Sequence, residues 1–232
     1  MGVLRRLGVP VLGVLGLGEM GSFQSAAAAD WWDPNGDGLC IWAAYQPKSA
    51  ASLAASYTDL SGNGNNAGVG VAPTWDAVNG WKFNGSTQYL TTTFLPQTDQ
   101  TQTILIQTTN LSAAVDGYLF GAYTAALNAF AMRARHDLNR RQYLNGPLSN
   151  VLSEDLNGNF AIAGNKAYYN GADEGVTLGA WAGPSTQVLY IGCRNIGVPV
   201  DYFPYYCQAL AIYDCTLTTP QVLAVATAMS LL

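Results

Sequence analysis

The chain has 232 residues, long for an average domain but within the range of a single β-sandwich. Apolar residues make up 49% of it and charged residues only 11%, against about 25% in ordinary soluble domains, so a sizeable core sits under a surface built mainly from Thr, Asn, Gln, Ser and Gly. A formal net charge of −5 with 10 Lys and Arg excludes non-specific nucleic-acid binding, which needs many cations to neutralise phosphates.

Neutral amides and hydroxyls cost less to desolvate than ions. This surface therefore suits contact with other subunits, in a homo-oligomer or a larger assembly, and equally suits a neutral extracellular exterior.

Residues 1–29 differ in composition from the rest. Arg5 and Arg6 precede an apolar, Gly-rich run from Leu7 to Gly18, and Phe23 precedes the run Ala26 to Ala29. The segment is too short and too Gly-rich for a membrane span, which needs ~20 apolar residues. It reads either as a secretory signal, with a positive start, an apolar middle and small residues before a cut, or as a retained arm. Such an arm cannot order itself, because fixing each residue costs about 1–2 kcal/mol of backbone entropy. It would have to lie on a neighbouring protein, with Arg5, Arg6 and Phe23 as anchors. The expected division is an arm over 1–29 and one globular unit over 30–232.

The globular unit opens with Asp33-Pro34-Asn35-Gly36-Asp37-Gly38, which matches the start of an EF-hand loop. Asp33, Asn35 and Asp37 are candidate calcium ligands, since oxygens at positions 1, 3 and 5 can surround a hard cation. The twelfth position, a bidentate Glu in such loops, is Ala44. The competing reading is a Gly-rich turn feeding the first strand.

From there the pattern is β. Short runs rich in Val, Ile, Tyr, Thr and Phe alternate with Gly, Asn, Asp and Pro clusters. Strands are expected at Cys40–Tyr45, Trp81–Phe83, Gln88–Thr92, Thr103–Thr108, Tyr118–Tyr123, Ala129–Arg135, Phe160–Ala163, Ala167–Tyr169, Val188–Cys193 and Gln208–Tyr213. In Phe130-Ala131-Met132-Arg133-Ala134-Arg135 the arginines fall on one side, as on a half-buried strand. Asn-Gly pairs at Asn63, Asn79, Asn84, Asn145, Asn157 and Asn170 supply the positive φ that tight turns require. A short helix is expected over Ala50–Ser56. A longer one closes the chain, capped by Thr218 or Thr219, with Pro220 in its first turn and Gln221 to Met229 following.

Three segments resemble one superfamily when taken together. They are Asp59-Leu60-Ser61-Gly62-Asn63-Gly64-Asn65-Asn66 with Gly80 to Leu90; Ala167 to Gly171 with Leu189 to Gly192; and Gln208 to Asp214 with Thr216-Leu217-Thr218 and the final helix. In this order, over about Asp59 to Met229, they resemble the laminin-G-like, or concanavalin A-like lectin/glucanase, superfamily. The resemblance implies an all-β jelly-roll sandwich of two antiparallel sheets. Phe83 and Tyr89 would pack inward on either side of Asn84-Gly85. Ala209, Ala211 and Tyr213 would alternate with Leu210 and Ile212 on a strand buried on both faces. The last helix would close an edge or end. Members include sugar-binding modules, adhesion modules, glycosidases and virion proteins. The low charge, the arm and the segment Trp31 to Lys48 are similar in style to structural proteins of tailed bacteriophages.

Glucanases of this superfamily place carboxylates two apart as Glu-x-Asp-x-Glu, so that both flank one glycosidic bond. The sequence has no such run. Its close acidic pairs, Glu154-Asp155 and Asp173-Glu174, are adjacent, would point to opposite faces of a strand, and are expected in loops. Trp75, Trp81 and Trp181 are the candidate sugar-stacking residues; the alternative is that they pack in the core or at an interface. Arg133, Arg135, Arg140 and Arg141, beside the sole histidine His136, read as a solvated hairpin. Cys40, Cys193, Cys207 and Cys215 lack zinc-knuckle spacing; buried thiols are expected, or a disulfide within the last three. Asn84 and Asn110 begin N-x-S/T sites.

The functional expectation is a non-enzymatic virion protein, a decoration or tail subunit docked on other virion proteins through its arm. The alternative is a secreted carbohydrate-binding module that recognises glycans.

Overall fold

The computed structural model describes residues 30–109, 116–136, 140–152 and 157–232. Residues 1–29, with Arg5, Arg6 and Phe23 of the expected arm, lie outside them, as do Asn110 and the pair Glu154-Asp155.

In chain order the elements are β1 (Ile41–Tyr45), α1 (Leu53–Ser56), β2 (Gly68–Val71), β3 (Thr74–Asp76), β4 (Gly80–Lys82), β5 (Tyr89–Thr91), β6 (Thr103–Thr109), β7 (Phe120–Ala125) and β8 (Asn128–His136). There follow β9 (Arg140–Asn145), β10 (Leu148–Leu152), β11 (Gly158–Ala163), β12 (Lys166–Tyr169), β13 (Ala172–Thr177), β14 (Tyr190–Ile191), β15 (Arg194–Asn195), β16 (Pro199–Val200), β17 (Tyr206–Tyr213) and α2 (Thr219–Ser230). Two sheets result. The first runs β13-β12-β11-β6-β17-β4-β3, with β1 also on β17; the second runs β10-β9-β8-β7-β14-β5-β2, with β15 and β16 beside β7. Pairing is antiparallel along both, and β15 meets β7 in a parallel bridge at Asn195 and Ala122. The all-β sandwich expected from the sequence is thus the fold.

The core between the sheets follows from the period-two alternation of strands. Ile104 and Ile106 of β6, Leu210 and Ile212 of β17, Phe160 and Ile162 of β11, and Phe120 and Phe130 of β7 and β8 all enter it. The alternate residues of the first sheet, Leu105, Ala161, Ala163, Ala209, Ala211 and Tyr213, form a second apolar layer on its outer face. Strand β17 is therefore buried on both sides, as its sequence indicates.

Helix α2 lies on that second layer rather than at an edge or end. Val222, Val225, Ala226 and Met229 recur at helical spacing and are buried against it. The four alanines beneath leave room for the helix backbone. Thr218 is the N-cap in a capping box with Gln221, whose Oε1 accepts the Thr218 N–H at 2.9 Å. The hairpin joining β12 to β13 also fits the helix closely. Asn170 and Gly171 adopt φ of 48° and 80°, and a Cβ on Gly171 would stand 2.8 Å from Leu223 Cδ1.

Several local expectations are corrected. Tyr89 is half-buried, and Leu90 is the residue that turns inward beside Phe83. The alternation at β5 thus starts one residue later. Strands β2, β3, β9, β10 and β13 add to those expected; Gly, polar and charged residues give them little apolar signal, and they lie toward the ends of the two sheets. Cys40 and Cys215 form the disulfide, joining the start of β1 to the end of β17 with Cα atoms 6.0 Å apart, while Cys193 and Cys207 are buried thiols. The Asp59 segment is a clasp. The buried Asp59 carboxylate accepts from Ala44 N at 2.9 Å, Ser61 N at 2.9 Å and Asn65 N at 3.1 Å, and so ties the turn to β1.

Candidate binding site on the second sheet

Directly opposed residues of antiparallel strands share a face, so register identifies what the second sheet shows outward. Tyr190 of β14 opposes Gly121 of β7, Gly121 opposes Ala131 of β8, and Ala131 opposes Leu144 of β9. One step further along the same face, Arg133 opposes Gln142. Phe120, Ala122, Phe130, Met132 and Tyr143 take the inward positions between them.

Small residues in this outward row admit long ones from elsewhere. A Cβ on Gly121 would stand 3.1 Å from Ala131 Cβ and 3.2 Å from both Cα and Cγ of Arg194. Arg194, on β15, therefore crosses directly over β7. Its guanidinium lies 4.4 Å from the centre of the Tyr123 ring and 4.9 Å from that of Tyr118. The Arg133 guanidinium lies 4.3 Å from the centre of the same Tyr118 ring. Two cations thus converge on one aromatic ring. Tyr118, Tyr123, Arg133, Gln142, Leu144 and Arg194 line a cavity of about 250 Å³.

The acids that balance these cations stand at the rim. Arg133 Nη1 is 3.3 Å from Asp116 Oδ2, and Arg194 Nη2 is 2.5 Å from Asp201 Oδ2. The arginine side chains are 15% and 19% exposed, the aspartates 48% and 40%. No carboxylate lines the cavity itself among the described residues. Burial raises the Tyr118 phenol above its usual range, opposed by the two arginines, so it stays a neutral hydroxyl at physiological pH. Further tyrosines continue the surface. Tyr89 and Tyr190 have ring centres 5.1 Å apart, Tyr202 lies 6.2 Å from Tyr89, and Tyr202 bridges to Tyr118 through its backbone. The arrangement offers guanidinium donors beside the half-buried Tyr123 ring, while Tyr118 and Gln142 are buried beneath them. No acid–base pair lines the cavity among the described residues.

The tryptophans picked from the sequence lie elsewhere. Trp81 is fully buried on β4, between Tyr45 and Tyr57, and its Nε1 donates to Ser56 Oγ at 2.6 Å. It leaves no face for a sugar, which removes it from the candidates. Trp75, half-buried opposite Trp81, donates from Nε1 to Pro47 O at 2.7 Å. Trp181 is half-buried against the core beside the Gly146 turn.

Around Asp33, one carboxylate oxygen accepts from Asp37 N at 2.9 Å and the other from Gly38 N at 2.9 Å, and Asn35 Nδ2 donates weakly to Asp37 at 3.4 Å. The loop is a turn held by its own backbone donors. Ala44, at the twelfth position, is buried in β1. No group of three or more His, Cys, Asp and Glu side chains gathers among the described residues.

The arginine cluster divides. Arg133 belongs to the cavity. Arg141 is buried inside the sandwich, paired with Glu174, its guanidinium 3.9 Å from the centre of the Tyr169 ring. The solvated-hairpin reading therefore fails for it. The side chains of Arg135 and His136 lie outside the described residues. Asp173 and Glu174 do point to opposite sides, toward Lys166 and Arg141, but from β13 rather than from a loop. Arg194, Tyr118, Tyr123 and Gln142 are site residues that sequence reasoning misses. The alternation around Arg133 is the one usable signal, because Arg194 reaches the site from a two-residue strand with no pattern of its own.

No family model matches the sequence, and a search of curated proteins finds no match. The fold is similar to solved structures. With Trypanosoma rangeli sialidase in complex with sialic acid the TM-score is 0.58 at 15% identity, over 83% of this chain and 33% of that one. With botulinum neurotoxin type C, in a study of its cell entry through two ganglioside molecules, the TM-score is 0.55 at 12% identity, over 82% and 51%. With the binding domain of botulinum neurotoxin serotype G it is 0.56 at 12% identity, over the same shares. The chain spans about a third of the sialidase and half of the toxin chains.

Proposed function

We propose that this protein is a lectin-like module that binds a glycan on the outer face of its second sheet and releases it uncleaved. The observation that carries this reading is the convergence of Arg133 and Arg194 on Tyr118, in a cavity of about 250 Å³ with no lining carboxylate among the described residues. Guanidinium donors orient the oxygens of a sugar, and the half-buried Tyr123 ring borders them. That cavity lies just below the ~300–1,000 Å³ of drug-sized sites, which suits one terminal sugar. The similar folds support the reading, since the sialidase is complexed with sialic acid and the type C toxin depends on gangliosides for entry.

Hydrolysis by two carboxylates needs them ~5–10 Å apart across the scissile bond. Asp173 is engaged by Lys166 and Glu174 by the buried Arg141, on opposite faces of β13. The Cys40–Cys215 disulfide fits an oxidising, extracellular setting. A virion subunit docked by its arm is a narrower form of this reading. Co-purification of the full chain within a particle would support that form, and a mature N-terminus at Asp30 would contradict it.

A glycan array probed with the native chain and with an Arg133→Ala/Arg194→Ala double variant tests the proposal. The native chain is expected to bind a subset of glycans, and the variant to lose them with little change in melting temperature. Equal binding by both would place the site elsewhere. Shortened glycans after incubation would contradict binding without cleavage.

A further inference from the structure

We infer that the sugar taken at this site carries a carboxylate, which displaces Asp201, and with it Asp116, as the acceptor of the two guanidiniums. The inference rests on the glycan-binding reading above and specifies its ligand.

Two like charges directed at one ring repel each other, and an anion between them relieves that cost. Among the described residues, the anions that meet these two arginines stand outside the cavity. Asp116 and Asp201 are 48% and 40% exposed, whereas the arginines they meet are 15% and 19% exposed. Ion pairs with partners this exposed to water contribute little, so they exchange readily. The Arg194 pair is also incomplete. Asp201 meets Nη2, and the buried Nε of Arg194 has no acceptor among the described residues. A planar carboxylate matches the guanidinium fork in two parallel bonds, which a single rim oxygen does not provide. Arg194 is also set in place. Its backbone and Cγ rest on the bare Cα of Gly121, and its guanidinium is stacked on Tyr118 and Tyr123, so little side-chain freedom is left to lose on binding.

The net charge of −5 gives no general attraction for acidic ligands, so a preference for them requires a local cluster of cations such as this pair. The cavity is also lined by a neutral amide, Gln142, opposite Arg133 on the next strand. Asp201 adopts φ of 53°, a conformation that Asn also tolerates, so Asp201→Asn removes the competing charge without disturbing the turn.

Calorimetry of the full chain with four matched oligosaccharides tests the inference. One ends in a uronic acid, one in its methyl ester, one in the neutral parent sugar and one in a sulfated sugar. The acid is expected to bind at least ~10-fold more tightly than the ester and the neutral parent, and more tightly than the sulfated sugar. Its affinity falls with added salt. Asp201→Asn is expected to strengthen acid binding severalfold. Arg194→Gln is expected to remove the preference for acid over ester; should that variant fail to fold, Arg194→Lys, which keeps the charge but loses the fork, is expected to reduce it. An ester or neutral sugar bound as tightly as the acid overturns the carboxylate assignment and leaves the glycan reading standing. A preference for sulfate, or weaker acid binding by Asp201→Asn, also overturns the inference alone. Absence of binding to all four and to every glycan of the array overturns both.

Discussion

On the first sheet, Ala161, Ala163, Ala209 and Ala211 keep the outer face low, and α2 settles on it with Val222, Val225 and Met229. On the second, Gly121, Ala129 and Ala131 keep the outer face equally low, and what settles there is a pair of arginine side chains. Both faces come from the same alternation, with large residues inward and small residues outward. The difference lies in what the chain brings back over each. An apolar helix buries about 1.5–3 kcal/mol for each large side chain and stays in place. Guanidiniums on tyrosine rings gain about 0.5–2 kcal/mol each. One face contributes stability; the other is the face proposed to take a ligand.

The largest test of this contrast is to weaken the helix-covered face. Met229→Ala is expected to cost ~2–5 kcal/mol in urea unfolding, as deletion of a fully buried side chain does, with glycan affinity within a factor of about two of native. Reducing the Cys40–Cys215 disulfide is expected to cost a further ~2–5 kcal/mol, because it closes most of the chain into one loop. The melting temperature with and without reductant measures it. A large loss of binding in either experiment at temperatures where the chain stays folded would mean that the faces are coupled.

Alkaline pH acts on the shared interior and comes next in size. Burial, assisted by Asp201, holds the Cys193 thiol up to about 12, and burial holds Cys207 and the phenols of Tyr45, Tyr143, Tyr205 and Tyr213 up as well. An unfolded thiol titrates near ~8.5. From about pH 9 to 12 the native chain therefore holds more protons than the unfolded chain, and stability falls as pH rises through that window. Urea midpoints from pH 7 to 11 check the slope. Both thiols are expected to resist thiol reagents until the chain unfolds.

The core is legible because Ile104-Leu105-Ile106 and the alternation from Ala209 to Tyr213 mark strands with two buried faces, and Thr218 to Gln221 marks a helix start. The site is not. Its geometry depends on Arg194 lying across Gly121, far from it in the chain, and on Asp201 returning to meet it. Tryptophan content points to sugar stacking, but Trp81 serves the core because its indole N–H finds Ser56 inside. Conversely, tyrosines that read as ordinary strand residues surface beside the cavity.

Smaller effects sharpen the second face. Gly121→Ala forces Arg194 to shift by a few tenths of an ångström and is expected to weaken glycan binding severalfold at a stability cost near ~1 kcal/mol. Calorimetric titration and a thermal melt of the same sample separate the two. Least of all, chelator or added calcium is expected to leave the melting midpoint unchanged, since Asp33 already accepts the backbone donors of its loop.

The most direct measurement is amide and side-chain NMR of the chain titrated with a bound glycan. The largest shifts are expected on Tyr118, Tyr123, Arg133, Gln142 and Arg194, with Val222, Val225 and Met229 unmoved. Shifts centred on the helix-covered face, or around Trp75 and Trp181, would contradict it.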